Sequence, residues 1–489
     1  MPDESPGTDV PGIDPDRLAA TFAVFDDLAQ LPHDHPDVLA VRRATASLYK
    51  QVKVARRSER RAAITAHDAA VTAATATGAP GRIDDETEGV FGLTTATETE
   101  TAGELLRARS CYTCKQRYTT VDAFYHQLCP TCAAFNRERR DARTDLTGKR
   151  ALLTGGRAKI GMYIALRLLR DGAHTTITTR FPTDATRRFA AMPDSVDWLH
   201  RLRIVGIDLR DPAQVLELSE AVAAEGPLDI LINNACQTVR RTPGAYAQLI
   251  AAETAELPVP LNGPAPDVLT ISRFTDVRPK NVTALAEHAS ALSAEDLTQL
   301  ALTGGSASLD RVAAGVAIDA GGLVPDLDAE NSWSRVVDQV DPLEMLEVQL
   351  CNMTAPFLLV SKLRPSLASS PARRKYVVNV SAMEGQFTRQ YKGPGHPHTN
   401  MAKAALNMLT KTSSQEMLDT DGILMTAVDT GWITDERPHP TKARLHEEGF
   451  HAPLDLVDGA ARVYDPIVRG EAGEDVHGCF LKDYAPSRW

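Results

Sequence analysis

The sequence predicts an α/β protein with a doubly wound parallel sheet, preceded by a helical region and a small metal-binding module. Three observations lead to this prediction. Strands and helices alternate from about residue 150 to the C-terminus, a glycine-rich loop follows the first of those strands, and two C-x2-C pairs stand just before it. We therefore divide the chain into an N-terminal helical region (1–100) with a disordered start and an acidic linker, a four-cysteine module (101–145), and an α/β domain (146–489) with an insertion at about 238–335.

Composition places the chain among globular proteins and excludes several classes of partner. It has 489 residues, of which 43% are hydrophobic and 24% charged, enough to bury a full core. The formal net charge of -11 disfavours generic attraction to nucleic acid or to anionic membranes. The sequence has no run of about 18 apolar residues, and its start has neither the basic nor the apolar segment of a secretory signal. We therefore expect a cytoplasmic protein that binds neither membranes nor nucleic acid.

Two helices are predicted near the N-terminus. The first begins at Pro15 with Asp14 as its cap, and its apolar side chains fall on one face. The second begins after Pro36 and carries six basic residues, namely Lys50, Lys53, Arg56, Arg57, Arg60 and Arg61. This basic stretch is interpreted as a solvated face, with contact to an acidic partner or RNA as the alternative. Residues 78–103, rich in Gly, Thr, Glu and Asp, are predicted to be a linker.

Cys111, Cys114, Cys129 and Cys132 form a C-x2-C-x14-C-x2-C pattern. Each C-x2-C turn offers two thiolates, and two such knuckles complete the tetrahedral site that zinc prefers. Four thiolates close the site, so we predict a structural zinc, with a small hairpin between the knuckles and a helix opening from the second. A C-x2-C redox pair is the alternative, although it leaves the second pair unexplained. His126, which lies between the knuckles, is expected on the surface.

After the cysteines, strands and helices are predicted to alternate. Strands are expected at 150–154, 174–179, 202–207, 228–232, 375–380, 422–428 and 476–481, and helices at 160–170, 184–191, 212–224, 342–368 and 400–418. Alternation of this kind indicates a parallel sheet covered by helices on both faces. The insertion at 238–335 falls near the expected substrate entrance, so it is interpreted as a lid over the pocket or as an interaction surface.

A nucleotide-binding pattern begins at the end of the first of these strands. The segment 154–161 reads TGGRAKIG, and its glycines would let backbone N–H groups approach a pyrophosphate at the helix N-terminus. Further markers follow in order: NNAC at 233–236, an asparagine at 352, NVSAMEG at 379–385 and a lysine at 403. In these motifs the chain from about residue 146 to 489 resembles the short-chain dehydrogenase/reductase family. The resemblance implies a Rossmann-type sheet and NAD(P)-dependent oxidoreductase activity.

The resemblance also implies where the cofactor would lie. Gly155 and Gly161 would flank the pyrophosphate, with Ile160 near the nicotinamide, and Lys159 stands where the family has its middle glycine. That exchange loses conformational freedom but places a cation beside a phosphate. The remaining cofactor-binding candidates are Arg157, Arg180, Asp208, Leu209, Asn233, Ala235, Lys403, Gly431 and Thr434.

The end of the second strand favours NADP(H) over NAD(H). An acid at this point would bind the ribose hydroxyls of NAD, whereas an arginine accommodates the extra phosphate of NADP. Here the strand ends in Thr178, Thr179 and Arg180, without an acid. Together with Arg157 or Lys159, Arg180 predicts an NADP cofactor, and NAD remains the alternative. The simpler interpretation is that Arg180 only caps its strand.

The family's catalytic tyrosine is absent. The family pairs a serine with a Tyr-x3-Lys motif; Ser381 and Lys403 match it, but Thr399 stands four residues before the lysine. An aliphatic hydroxyl cannot pass a proton near neutrality as a tyrosine beside an ammonium can. Nearby substitutes are Tyr391, His396 and His398. We predict that His398 or Tyr391 supplies the proton, since imidazole titrates near neutral pH.

These observations lead to two hypotheses of different classes. The first is an NADP(H)-dependent oxidoreductase that moves a hydride between nicotinamide and a carbonyl or alcohol substrate. Lys403 would bind the ribose, Ser381 the carbonyl oxygen, and Asn352 the water of a proton relay, as the resemblance implies. The second is a catalytically impaired, nucleotide-sensing protein that docks to a protein partner through its zinc module and N-terminal region. The resemblance further implies a homo-oligomer.

Overall fold

The computed structural model describes residues 12–80, 82, 100–241, 243–254, 265–271, 323, 328–389, 392–434 and 436–489. Most of the predicted disordered start, of the acidic linker and of the insertion therefore lies outside the described residues. The chain divides into two compact units, 1–68 and 69–489.

The first unit consists of α1 (Pro15–Leu28) and most of α2 (Pro36–Ala73). Asp14 caps α1 as predicted, because its side chain accepts hydrogen bonds from the backbone N–H groups of Asp16 and Arg17. No residue of α1 is buried, and Phe22 on its apolar face is 59% exposed. The two helices are therefore held by local hydrogen bonds rather than by a core of their own.

The four-cysteine segment forms a hairpin followed by a helix. Its elements are β1 (Thr101–Ser110), β2 (Arg117–Asp122) and α3 (Pro130–Asp141). The predicted helix after the second knuckle is confirmed, since α3 begins directly after Cys129. The prediction of a hairpin between the knuckles is wrong, because Ser110 pairs with Arg117 and the first knuckle is itself the turn of the hairpin. β1 also begins inside the stretch 78–103 that was assigned to a linker.

A nine-stranded sheet forms the centre of the second unit. Its strands are β3 (Arg150–Leu153), β4 (His174–Thr179), β5 (Leu202–Gly206), β6 (Ile230–Asn233), β7 (Asp267–Thr270), β8 (Lys375–Ser381), β9 (Ile423–Asp429), β10 (Phe480–Lys482) and β11 (Ala485–Ser487). Their order is β11-β10-β9-β8-β6-β3-β4-β5-β7, and only β11 pairs antiparallel. The strand order reverses between β3 and β6, which is where doubly wound sheets form a ligand crevice at the strands' carboxyl ends.

Helices cover both faces of this sheet, as the alternation predicted. They are α4 (Lys159–Arg170), α5 (Pro182–Ala190), α6 (Pro212–Ala224), α7 (Ala247–Thr254), α8 (Pro342–Gln349), α9 (Ala355–Ala368), α10 (Pro397–Asp421), α11 (His439–Glu447) and α12 (Leu456–Glu471). One core lies between the sheet and α4, α5 and α12, and a second lies between the sheet and α6, α9 and α10. The stretch Pro342–Ala368 is long and apolar enough to span a membrane, a test that core helices also pass, and the buried residues of α9 belong to the second core.

Two features of the sheet region differ from the sequence prediction. Part of the insertion joins the sheet, because β7 pairs parallel with β5 and extends its edge. The single helix predicted at 342–368 is divided by a π-helical turn at Leu350–Thr354. Such π-helical turns occur frequently at functional sites.

A buried ionic network joins the four-cysteine module to α12. Arg140 of α3 donates to both carboxylate oxygens of Asp455 (2.6 and 2.9 Å) and to Asp458 (3.0 Å). Tyr125, between β2 and α3, donates to the same oxygen of Asp458 at 2.7 Å. Because each buried charge has a partner, the network fixes the module against the sheet-covering helix.

Candidate functional site

The glycine-rich loop between β3 and α4 passes so close to its surroundings that all three of its glycine positions exclude a side chain, Gly156 because a Cβ would lie 2.5 Å from Ile177 Cγ2. Gly155 has a φ of +70°, and a Cβ there would lie 2.9 Å from the Cα of Ala235. A Cβ on Gly161 would lie 1.9 Å from the carbonyl oxygen of Gly155. These contacts give the tight turn and the close helix packing of a dinucleotide-binding loop.

Lys159 keeps the backbone conformation of the glycine that it replaces. Its φ is +54°, in the left-handed region, where a residue with a Cβ costs about 1–2 kcal/mol. Retained strain of this kind is typical of functional loops. The next residue, Ile160, packs against the core beneath α4 and also against the core of the four-cysteine module.

A polar clamp holds the glycine-rich loop against the end of β6. Asn234 Nδ2 donates to the carbonyl oxygens of Thr154 (3.0 Å) and Gly155 (3.1 Å). The Thr154 hydroxyl in turn accepts from the backbone N–H groups of Asn234 and Ala235, both at 3.0 Å. The sequence analysis did not assign these roles, although the TG of TGGRAKIG and the paired asparagines of NNAC were the signal for them.

Arg180 lies at the end of β4, where the adenosine half of a dinucleotide is expected. Its guanidinium donates to the Tyr246 hydroxyl at 3.2 Å and lies 4.9 Å from the Tyr246 ring centre and 5.6 Å from that of Phe181. Arg157 is less available for a phosphate, because it forms an ion pair with Asp184. The two predicted cations therefore differ, and Arg180 is the better placed to receive an added anion.

Asp208 and Leu209 follow β5 at the same edge, as the resemblance implied. Burial would raise the pKa of Asp208, but hydrogen bonds and charge from Arg210 hold it below its ordinary value. Arg210 also binds Glu347 at 2.9 Å. Asp208 is therefore an ionised carboxylate with a fixed orientation, and the Leu209 side chain beside it is buried.

The strand-end serine and the lysine are brought together, but each has a protein partner. The Ser381 hydroxyl donates to Asn407 Oδ1 at 2.6 Å, and Lys403 Nζ donates to the Val380 carbonyl oxygen at 2.7 Å. Both side chains are buried. Ser381 can still accept a hydrogen bond, and the Lys403 ammonium, which has three donor hydrogens, keeps two beyond the one that it gives to Val380.

Two of the predicted site residues are asparagines whose side chains hydrogen-bond to neighbouring protein groups. Asn352, in the π-helical turn, accepts from the backbone N–H of Gln237 (2.7 Å) and donates to its carbonyl oxygen (2.9 Å). Its side-chain amide therefore fixes the chain that leaves β6. Asn233 is buried and donates to Asn379 in the adjacent strand at 2.8 Å.

The segment that replaces the tyrosine buries polar atoms without partners. His398 is 2% exposed, and neither of its ring nitrogens has a hydrogen-bond partner among the described residues. The Thr399 hydroxyl is buried in the same way. Burial lowers the pKa of His398, against the opposing charge of Glu344. Tyr391, the other predicted proton donor, lies outside the described residues.

Asp429 is a titratable group at this edge that the sequence analysis missed. It ends β9, directly opposite Ser381 in the parallel ladder, and its carboxylate accepts from the Met383 N–H at 3.3 Å. Burial raises the pKa of Asp429 to about 6. The only signal in the sequence was an acid at the end of an apolar strand. Gly431 and Thr434, the predicted cofactor contacts, lie in the loop that follows.

The four cysteines converge as the spacing predicted. Their sulfur atoms all lie within 4.8 Å of one another, and those of Cys114 and Cys129 are 3.7 Å apart. Thiolates bound to one zinc at about 2.3 Å would be about 3.8 Å apart, so the cluster fits a tetrahedral zinc. His126 is not part of it, and the expectation that His126 is on the surface is wrong: it is buried and bonds Thr77 at 2.8 Å.

Comparisons with known proteins agree with these motifs. The family model for short chain dehydrogenases matches residues 149–254. An uncharacterised protein of Acanthamoeba polyphaga mimivirus is 30% identical over 374 residues, 73% of this chain and 71% of that protein. A short-chain dehydrogenase/reductase of Armillaria gallica is 36% identical over 107 residues, and an oxidoreductase of Escherichia coli K12 is 38% identical over 92 residues. These two matches span 21% and 18% of this chain and about a third of each relative.

Solved structures similar to this chain include two complexes with a cofactor. One is the NADPH-bound carbonyl reductase from chicken fatty liver, with 17% identity, a TM-score of 0.42, and coverage of 72% of this chain and 98% of that one. The other is a Burkholderia cenocepacia short chain dehydrogenase with NADP, with 19% identity, a TM-score of 0.42, and coverage of 69% and 97%. From its sheet order, its clamped glycine-rich loop and the matched family model, the chain belongs to the short-chain dehydrogenase/reductase family.

Proposed function

We propose that this protein is an NADP(H)-dependent oxidoreductase that transfers a hydride between nicotinamide and the carbonyl or alcohol carbon of a small molecule. The observation that carries the proposal is the glycine-rich loop. Gly155 and Gly161 exclude side chains by contact, and the loop is clamped to β6 by Asn234. The tight turn and the close packing of helix on loop are those of a dinucleotide-binding motif, in which backbone N–H groups face the pyrophosphate at the helix N-terminus.

The choice of NADP over NAD is supported by the position of Arg180. No acid stands at the end of β4. Burial and the charge of Arg210 oppose the charge of Arg180, but Tyr246 and Asp208 favour it and its pKa is raised, so Arg180 is a cation. A guanidinium can donate bidentate hydrogen bonds to a phosphate on the adenosine ribose. The aromatic rings of Phe181 and Tyr246 hold Arg180 in place for that contact.

Cofactor binding is tested by titrating NADPH and NADH into the purified full-length protein and following nucleotide fluorescence and thermal unfolding. Ligand at about 100 times its dissociation constant should add about 2.7 kcal/mol of stability. Arg180→Gln should weaken NADPH binding by about 10- to 100-fold, as the loss of a charged hydrogen bond predicts, and leave NADH binding unchanged. Arg444→Gln, in an exposed ion pair, is the matched control. If neither nucleotide binds the wild-type protein, the proposal fails.

The chain's own residues would orient the substrate and move one proton. When bound, nicotinamide supplies or accepts the hydride at the substrate carbon. In this proposal the Ser381 hydroxyl binds the substrate oxygen: as it stands it can accept from an alcohol, and it must release Asn407 to donate to a carbonyl. A carbonyl oxygen must also gain a proton when it is reduced. His398 is the proposed donor, since its ring nitrogens have no protein partner among the described residues, and Asp429 is the second candidate.

The two proton donors can be distinguished by the rate of NADPH oxidation with a panel of aldehydes and ketones. Loss of a general acid typically lowers the rate by about 10²–10⁴-fold. His398→Gln should cause such a loss while the affinity for NADPH stays the same. If Asp429→Asn causes it instead, Asp429 is the donor.

A second function is favoured by the hydrogen bonds that Ser381 and Lys403 already make within the protein. Ser381 and Lys403 are both bonded to the protein, and Thr399 cannot replace the tyrosine. A nucleotide-sensing protein without turnover would have these properties. It is distinguished by NADPH binding without oxidation on any member of the substrate panel, together with capture of a protein partner through residues 1–145 of the intact chain.

We further propose that the four cysteines hold one structural zinc ion. The donor set is four thiols within one tetrahedron, which would close the site to substrate. Elemental analysis should give one zinc per chain. Cys114→Ser should abolish it, and because Cys114 is exposed, the substitution leaves no internal cavity. A metal content near zero in the wild-type protein purified without chelators would contradict this proposal.

A further inference from the structure

The first knuckle of the four-cysteine module touches the loop that borders the cofactor site. Tyr112, the residue after Cys111, accepts a hydrogen bond on its hydroxyl oxygen from the backbone N–H of Trp432 at 3.0 Å. Trp432 stands between Gly431 and Ile433, in the loop that leaves β9. The contact joins residues 320 positions apart in the sequence, and it bonds a side chain to a backbone group, so it constrains the path of the loop itself.

An apolar core reinforces this hydrogen bond. Cys111 and Cys129 belong to one buried cluster that also contains Ile433 and Leu454, and Ile160 of the glycine-rich loop packs on it. The knuckles therefore share a core with residues on two loops of the cofactor site. Removing apolar contacts from such a core is costly, because the surrounding structure relaxes only in part.

Gly431 transmits this packing to the loop. Its φ is +77°, and a Cβ there would lie 2.6 Å from Leu454 Cδ1, so the backbone turns directly against the shared cluster. A shift of Leu454 or Tyr112 would therefore change the position of Gly431 and its neighbours. The loop is also held by Ile433, which is buried in the same cluster, and by Trp432, whose ring centre lies 5.2 Å from that of Phe450.

We propose that Tyr112 is a positioning residue for the cofactor site, through which metal binding by the four cysteines and binding of the nicotinamide cofactor are coupled. The inference rests on the proposed function, since it requires a bound cofactor. A C-x2-C knuckle without metal loses the ligand bonds that hold its turn, and binding of the metal is then coupled to folding. Coupling between two binding sites is reciprocal, so bound cofactor must also retain the metal.

Two phenols of the same module provide a matched pair of variants. Tyr112→Phe removes only the oxygen that reaches Trp432. Tyr118→Phe removes a hydroxyl that donates to the His126 carbonyl oxygen at 2.9 Å, entirely within the module. Both variants lose one hydrogen bond of a tyrosine, but only the first loses a bond to the cofactor site.

The experiment measures NADPH affinity by fluorescence titration and zinc content by elemental analysis, on the full chain. We expect Tyr112→Phe to retain its zinc and to bind NADPH about 3- to 10-fold more weakly, as loss of one hydrogen bond predicts. Tyr118→Phe should bind NADPH as the wild type does. In the wild type, saturating NADPH should slow the release of zinc to a chelator, and in Tyr112→Phe this protection should shrink.

The outcomes separate the inference from the proposed function. If the wild type binds NADPH and Tyr112→Phe binds it equally well, the inference is overturned and the proposed function stands. Equal weakening by both phenylalanine variants also overturns it, because the effect would then follow general stability of the module. If the wild type binds neither NADPH nor NADH, both are overturned.

Discussion

Two sets of buried side chains near the candidate site differ in whether their polar atoms have hydrogen-bond partners. At the contact between α3 and α12, Arg140, Asp455 and Asp458 are all hydrogen-bonded to one another or to Tyr125. At the start of α10, His398 is equally buried but has no hydrogen-bond partner among the described residues. The contrast concerns these side chains alone, because Arg139 Nε of α3 and Arg462 Nε of α12 are also buried without a partner among the described residues.

The difference indicates that the two sets of side chains have different roles. Buried polar groups in folded proteins are nearly always paired, and an unpaired one destabilises the fold. The paired network at α3 and α12 is therefore best explained as architecture that fixes the four-cysteine module. The groups at 398 and 399 have no hydrogen-bond partner among the described residues, and under the proposed function a substrate would complete their hydrogen bonds.

Breaking the paired region should have the largest effect. Arg140→Ala leaves Asp455 and Asp458 buried without their cation, and loss of one partner of a buried ion pair costs about 3–5 kcal/mol. The free energy of unfolding, measured with urea, should fall by that amount. Arg444→Ala removes an arginine from a pair that is more than half exposed, and should cost only about 0.5 kcal/mol. Similar losses in both variants would show that the network is no more stabilising than a surface pair.

Asp429→Asn should stabilise the protein in a pH-dependent manner. Burial raises the pKa of Asp429 to about 6, above its ordinary value of 3.8. The stabilising contribution of Asp429 to the free energy of unfolding is then fully present below about pH 3.8 and is lost as the pH rises through about 6. Lys482 and Arg462 favour the ionised form, while Asp483 and Glu384 oppose it, and the rise in pKa shows that burial dominates.

Relative to the wild type, Asp429→Asn should therefore gain nothing near pH 4 and about 2–3 kcal/mol at pH 8. Urea unfolding at a series of pH values tests this, because all other groups titrate alike in the two proteins. If the free energies of unfolding of the wild type and Asp429→Asn differ by the same amount at every pH in this range, the pKa of Asp429 is not raised. A gain in stability at pH 8 together with a loss of turnover would place Asp429 with the unpaired, functional region.

Sequence reasoning found those features that local patterns encode. The strands β3 to β6, β8 and β9 lie where the sequence pattern predicted them, and the glycine-rich loop directly follows β3. The cysteine spacing predicted that four sulfur atoms converge. It could not find Tyr112 against Trp432 or Arg140 against Asp458, because these partners lie more than 300 residues apart and their pairing depends on how finished elements pack. The same reason explains the missed role of Asp429, whose pKa is set by burial and not by its neighbours in the sequence.

Replacing the unpartnered polar side chains of His398 and Thr399 with apolar ones should stabilise the protein. His398→Leu removes two ring nitrogens without partners, and the wild-type cost of an unsatisfied buried group is about 1–2 kcal/mol. Burial lowers the pKa of His398, with Glu344 raising it and His396 lowering it. The wild type therefore loses stability as the pH falls below the unfolded value of about 6.5, and the gain of His398→Leu should grow there.

Thermal unfolding at pH 8 and pH 5.5 would measure this gain, with Thr399→Val as a companion that removes one unpartnered hydroxyl at constant shape. A destabilised His398→Leu would show that the imidazole is held by contacts with residues outside the described part of the chain. The comparison between the two regions would then lose its main support.

The smallest effect is expected at Lys159, where strain and function meet in one residue. Its φ of +54° destabilises the fold with lysine but not with glycine. Glycine, however, loses more conformational entropy on folding. Lys159→Gly should therefore stabilise the protein by no more than about 1 kcal/mol. If the lysine is retained for its charge, the same substitution should weaken NADPH binding by several-fold and make that binding less sensitive to salt, since an exposed ion pair is screened. Fluorescence titration at low and high salt measures both. A stabilised variant with unchanged affinity and salt dependence would mean that Lys159 carries its strain without any contact to the phosphates, and Arg180 would remain as the cation that selects the cofactor.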